Sequence, residues 1–140
     1  MEQLAVEIVG LCREYGECRV EVERMEEARR VKNALESVCS MARQRLDISD
    51  PALLLALLDA CEVTRDEGML QEVLDVVGRN LDRLAVSAES VKLLACCYYY
   101  VEEEECAERA RRMLEELRKM GRRIGGCGDN FGGIDLRFRL

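Results

Sequence analysis

Residues 93–110 read LLACCYYYVEEEECAERA. No proline, glycine or clear cap interrupts them, so the stretch is either one long helix or two. The apolar pattern decides. At the helical step of about 100° per residue, Val91, Leu94, Ala95, Tyr98 and Val101 fall on one stripe. Cys106, Ala107, Ala110, Met113, Leu114, Leu117 and Met120 fall on another, turned by about a third of a turn. A single helix would have to twist its apolar face across Glu102–Glu105, where four consecutive carboxylates also repel one another. A turn there removes both problems and sets acids at the start of the next helix, where unpaired N–H groups favour negative charge. Two helices are therefore predicted, 88–101 and 104–120, folded as a hairpin.

The middle of the chain repeats this pattern. Sliding Leu54 onto Val91, an offset of 37, also brings Leu57 onto Leu94, Leu58 onto Ala95 and Cys61 onto Tyr98. Met69, Leu70, Val73, Val76 and Val77 then meet Cys106, Ala107, Ala110, Met113 and Leu114 without a gap. The upstream copy shows its break openly: TRDE at Thr64–Glu67 reads as a capping box with Thr64 as N-cap. A hairpin over 51–84 turning near Thr64 is expected. Asp50 before Pro51 is a helix start, Ser87 is an N-cap, and Gly121 is placed to end the last helix.

The first third yields a third, atypical pair. Leu4, Ile8, Leu11, Cys12 and Tyr15 stripe one helix that Gly16 ends. Val22, Met25, Ala28, Val31, Leu35, Val38, Ala42 and Leu46 stripe a longer one. Val31, Leu35, Val38 and Cys39 precede Met69, Val73, Val76 and Val77 by 38. Terminal units of helical arrays are commonly irregular.

The fold class expected is all-α, stacked helical hairpins of α-solenoid type with about six helices and an extended C-terminal tail. Residues 1–121 form the helical domain and 122–140 the tail. "PALLLALLDAC" and "VKLLACCYYYV" are apolar nearly all round, so each needs neighbours on more than one side. Tyr98, Tyr99 and Tyr100 point in three directions, so at least one reaches the surface.

On these residues, "SVKLLACCYYYVEEEECAERARRMLEEL" resembles an armadillo or HEAT repeat unit, with Ala107 and Ala110 at the crossing of the second helix. It is also similar to a tetratricopeptide unit, with Tyr98 and Ala107 at that family's aromatic and alanine positions, although Arg111 stands where that family has an aromatic. The resemblance covers residues 51–120. It implies a stacked-helix scaffold that holds proteins or peptides in a groove.

Composition agrees with a helical interior and argues against most chemistry. Apolar residues make up 49% and charged residues 35% of 140 residues, enough to fold. There is no histidine, which removes the commonest general base and metal ligand. Neither S-x-x-K, G-x-S-x-G nor H-E-x-x-H is present. The eight cysteines form no C-x-x-C pair and read as free thiols packed in a reducing compartment. No cofactor, metal or enzymatic activity is expected. Glu2 and Glu7 stand where a signal peptide carries bases, and no apolar run spans a bilayer. The expected setting is intracellular, cytoplasmic or nuclear.

The glycine-rich tail ends in alternation: Ile134, Leu136, Phe138 and Leu140 between Asp135, Arg137 and Arg139. This is a strand pattern that "CRVEV" at Cys18–Val22 could pair with, or that could dock on another copy or another protein. Residues 117–140 carry +4 and the remainder −11 of the total −7, so the body repels phosphates. The function expected is a non-catalytic protein-interaction adaptor or scaffold subunit. The alternative is a helical regulator or assembly factor of a ribonucleoprotein complex that uses its basic C-terminal end on RNA. The candidate partner-binding residues are Tyr99, Tyr100, Arg122, Arg123, Ile134, Leu136, Phe138 and Leu140. A protein partner is expected, nucleic acid only through the basic end, no membrane, and a homo-oligomer through the tail.

Overall fold

The computed structural model describes residues 2–123, with the side chains of Glu2 and of 121–123 left aside. Six helices follow one another: α1 (Glu2–Cys18), α2 (Met25–Arg43), α3 (Pro51–Thr64), α4 (Glu67–Arg79), α5 (Ala88–Val101) and α6 (Glu104–Arg123). Short 3-10 turns at Val22–Arg24 and Leu81–Arg83 join α1 to α2 and α4 to α5. No strand occurs among the described residues.

The reversal after the tyrosine triplet is present. Glu102 takes the left-handed conformation (φ 52°, ψ 32°), and its N–H donates to the Tyr98 carbonyl at 2.8 Å. The chain reverses in two residues, leaving Glu104 and Glu105 in the first turn of α6. The middle hairpin does the same thing. Arg65 is left-handed (φ 59°, ψ 37°) and its N–H donates to the Cys61 carbonyl at 2.7 Å. The landmarks from the first caps to the second helix starts are separated by 37 residues: Asp50 and Ser87, the starts of α3 and α5, the left-handed turns, and the starts of α4 and α6. A left-handed non-glycine residue costs about 1–2 kcal/mol. Two such turns at one offset mark a backbone geometry imposed by packing rather than by local preference.

The caps work as local chemistry demands, with one correction. Asp50 accepts from the Leu53 N–H at 3.2 Å and Ser87 from the Ser90 N–H at 3.1 Å. Thr64, however, is the last residue of α3. Its hydroxyl donates to the Ala60 carbonyl at 2.8 Å, and Asp66 is the N-cap of α4, accepting from Met69 N–H at 3.0 Å. Thr64 still lies within α3, before the left-handed Arg65, whereas Asp66 stands at the start of α4, so its carboxylate meets the free N–H groups there. Three other boundaries move. α1 runs through Gly16 to Cys18, α6 runs through Gly121 to Arg123, and α2 begins only at Met25. Val22 and Met25 therefore leave the core stripe and are exposed. "CRVEV" is not a strand: Cys18 is helical and Val22 opens the 3-10 turn.

Stacking follows from the apolar helices. α3 buries Leu53, Leu54, Ala56, Leu57, Leu58, Ala60 and Cys61, and packs against α1, α2, α4 and α5. Its four buried leucines contribute about 2 kcal/mol each relative to exposure. α5 packs against α3, α4 and α6. The first helices of the hairpins thus form a row, α1–α3–α5, with α2 and α6 packed against their hairpin partners. Ala107 and Ala110 are fully buried, as a close helix crossing requires. The connectors are pinned too. Ile48 and Leu84 plug the core. Arg109 of α6 donates to the Leu81 and Leu84 carbonyls at 3.3 Å each, and Arg43 of α2 reaches Asp66 at 3.5 Å and Glu72 of α4.

Candidate interaction surface

A stripe on the row α1–α3–α5 is left open. On α3 the residues at spacing 3, 4, 3 are Ala52, Leu55, Asp59 and Glu62, half-buried or exposed although the rest of the helix is sunk in the core. Their counterparts 37 residues on are Glu89, Lys92, Cys96 and Tyr99, of which only Cys96 is not exposed. On α1 the open residues are Val6, Val9 and Arg13, and Val6 is 71% exposed. These sets meet in a groove of about 400 Å³ between α1 and α3, lined by Ala5, Val6, Val9, Gly10 and Arg13, then Ala52, Leu55, Ala56 and Asp59, with Glu89 of α5 at one end.

The floor of this groove is aliphatic and its rim is ionic. Asp59 joins no hydrogen bond or ion pair among the described residues. Partial burial pushes its carboxyl above the ordinary range, and Glu62 one turn on adds to the effect. Two further grooves are more polar. One of about 300 Å³ lies between α2 and the α3–α4 turn, where Arg43 is already engaged. The other, about 280 Å³, lies between α4 and the α5–α6 turn.

The tyrosines stand at the far end of the same row. Tyr99 is 57% exposed, and its ring meets that of Tyr100 edge-on with centroids 5.3 Å apart. Tyr100 is half-buried. Burial pushes its hydroxyl up to about 12, with Glu62 and Cys61 of α3 adding to the shift. Tyr98 packs against the core. Tyr99 and Tyr100 therefore lie on the open row. The other expected site residues, the side chains of Arg122 and Arg123 and all of Ile134, Leu136, Phe138 and Leu140, lie outside the described residues. Val6, Val9, Leu55, Asp59 and Glu89 escape the sequence reading. Their signal is the pair of valines on α1 that falls off the Leu4–Ile8–Leu11 stripe.

The thiols are core residues. Cys18, Cys39, Cys61, Cys97 and Cys106 are buried, Cys12 and Cys96 half-buried, and none of these is in a disulfide. Cys12, Cys39 and Cys61 come from three different helices and lie close enough to influence one another. Burial pushes Cys12 up to about 11 and Cys39 and Cys61 up to about 12, which keeps them protonated and poorly nucleophilic at neutral pH. Among the described residues no group of three Cys, Asp or Glu is arranged to hold a metal ion. No described helix is long and apolar enough to cross a membrane. No family model, curated protein or solved structure matches this chain.

Proposed function

We propose that this protein is a non-catalytic interaction scaffold, a short α-solenoid of armadillo or HEAT character, that holds a protein partner along the open face of α1, α3 and α5. The observation that carries the reading is the groove between α1 and α3. It leaves Val6 71% exposed beside half-buried Leu55 in one concavity. Apolar surface gathered in a concavity and rimmed by charge is the arrangement that binding faces share. Burial holds the thiols of Cys12, Cys39, Cys61, Cys97 and Cys106 protonated and poorly nucleophilic, and the carboxylate runs sit on solvated helix faces.

A photo-crosslinking amino acid placed at Val6 or Leu55, and separately at Glu116 on the outer face of α6, tests the reading in native extract. Capture of the same protein from Val6 and Leu55 but not from Glu116 supports it. Equal capture from all three positions, or capture that collapses with added salt and disappears with Arg122→Ala/Arg123→Ala, rejects it in favour of phosphate contact.

A further inference from the structure

The two polar grooves are one groove built twice. Glu36, Ser40, Thr64, Asp66 and Met69 line the first, between α2 and the α3–α4 turn. Leu74, Gly78, Val101, Glu103 and Cys106 line the second, between α4 and the α5–α6 turn. They correspond one to one, 38 residues apart on the preceding helix and 37 apart in the hairpin that follows. These are the offsets at which the helices themselves recur.

The first copy holds an arginine. Arg43 lines it from α2, and its guanidinium reaches Asp66 at the start of α4 and Glu72 further along the same helix. In the second copy Leu81 stands in the place of Arg43, in the 3-10 connector and packed against the core. The acid remains. Glu103 stands where Asp66 does, and it joins no side-chain hydrogen bond or ion pair among the described residues. Arg109, in the place of Glu72, donates to the Leu81 and Leu84 carbonyls instead. The other ions of the groove, Asp75 and Arg79, meet each other at 3.9 Å. The wall has changed in step. Glu36, Ser40 and Thr64 give way to Leu74, Gly78 and Val101, and a Cβ added at Gly78 would meet nothing within 4 Å. An apolar wall that leads to a carboxylate suits a side chain with an aliphatic stem and a planar cationic head.

We infer that the groove between α4 and the α5–α6 turn receives an arginine side chain of a partner protein, its stem against Leu74, Gly78 and Val101 and its guanidinium on Glu103, as Arg43 sits on Asp66 in the first groove. Carboxylate and guanidinium match in shape as well as charge, which gives such a contact orientation in addition to attraction. The site shares no residue with the α1–α3 groove and does not rest on the reading of the open face.

The test titrates the isotope-labelled full chain with a blocked tripeptide that carries arginine between two alanines, and follows the backbone amides by NMR. Saturable shifts at Gly78, Glu103 and Cys106 are expected at millimolar peptide. Glu103→Gln should weaken binding several-fold, and Gly78→Leu should abolish it by filling the wall. Both positions are exposed, and an unchanged circular dichroism spectrum shows that each variant folds. Glu116→Gln, on the outer face of α6, should bind as the parent does. The same tripeptide with norleucine in place of arginine should bind several-fold more weakly. The absence of saturable shifts, norleucine binding as well as arginine, or full binding by Glu103→Gln overturns the inference. Free arginine, whose own carboxylate would approach Asp75 and Glu103, should bind less well than the tripeptide; tighter binding of the free amino acid assigns the groove to a small molecule and overturns the partner-protein claim. Crosslinking from Val6 and Leu55 is independent of all these results, so the scaffold reading stands or falls separately.

Discussion

Replacing Glu102 by glycine gives a test in which the sign of the effect carries the information. Glu102 sits at φ 52°, ψ 32°, where a side chain costs about 1–2 kcal/mol and glycine nearly nothing. Glycine's greater freedom in the unfolded chain returns part of that. Relief of repulsion among the four consecutive glutamates adds a few tenths. The net expectation is a gain of about 1 kcal/mol, which for a chain of this size raises Tm by about 3 °C. Had residues 88–123 formed one helix, the same substitution would place glycine in a helix interior and cost about 1 kcal/mol. Glu108→Gly serves as the ruler, since Glu108 lies within α6, exposed and paired to Arg112 at 2.9 Å. Its Tm should fall by about 3 °C. Thermal unfolding followed by circular dichroism, with urea titration for the free energy, reads both. A Glu102→Gly variant that melts lower, by as much as Glu108→Gly does, refutes the reversal.

Arg65→Gly should behave like Glu102→Gly, since its backbone is left-handed in the same way (φ 59°); a loss of stability in urea titration would break the equivalence of the two turns. Leu57→Ala, in the middle of α3 and fully buried, should cost about 3 kcal/mol by urea titration, and a cost under 1 kcal/mol would mean that α3 is not central. Asp66→Ala should cost about 1 kcal/mol through loss of the α4 cap, more than Thr64→Val, whose hydroxyl bonds only within α3; the reverse order would restore Thr64 as the cap. Burial raises the thiols of Cys12, Cys39, Cys61 and Cys106 in the folded state to about 11–12 from about 9. The unfolded chain therefore loses these protons first, and the stabilising contribution, full below pH 9, is lost as pH rises through 9–12. A urea midpoint that holds constant from pH 8 to 11 would contradict thiol burial.

The fold was largely legible because two independent signals agree in the sequence: the phase of the apolar stripes and their recurrence at 37 residues. Both are set by what a helix must bury, and burial is a long-range demand that composition reflects well. The caps were read well where one residue type has no competitor, at Asp50 and Ser87. At Thr64 a stronger acceptor stood two residues away, and the left-handed turn at Arg65 gives no sign in residue type. The alternation in "CRVEV" imitates a strand, whereas in the first connector Val20 and Val22 are simply exposed. The exposure of Tyr99 was legible because an apolar helix that ends in three aromatics must expose one. The groove was not, since Val6 and Val9 are ordinary helix residues until α3 is laid beside them.

The reversal itself is measured most directly as a distance. Spin labels carried on non-native amino acids at Glu89 and Lys119, both exposed, sit on adjacent antiparallel helices whose axes are about 10 Å apart, so double electron–electron resonance should return a single peak below about 25 Å once label arms are included. A peak near 45 Å, the rise of thirty residues along one helix, would contradict the hairpin and with it the stacked row and its open face.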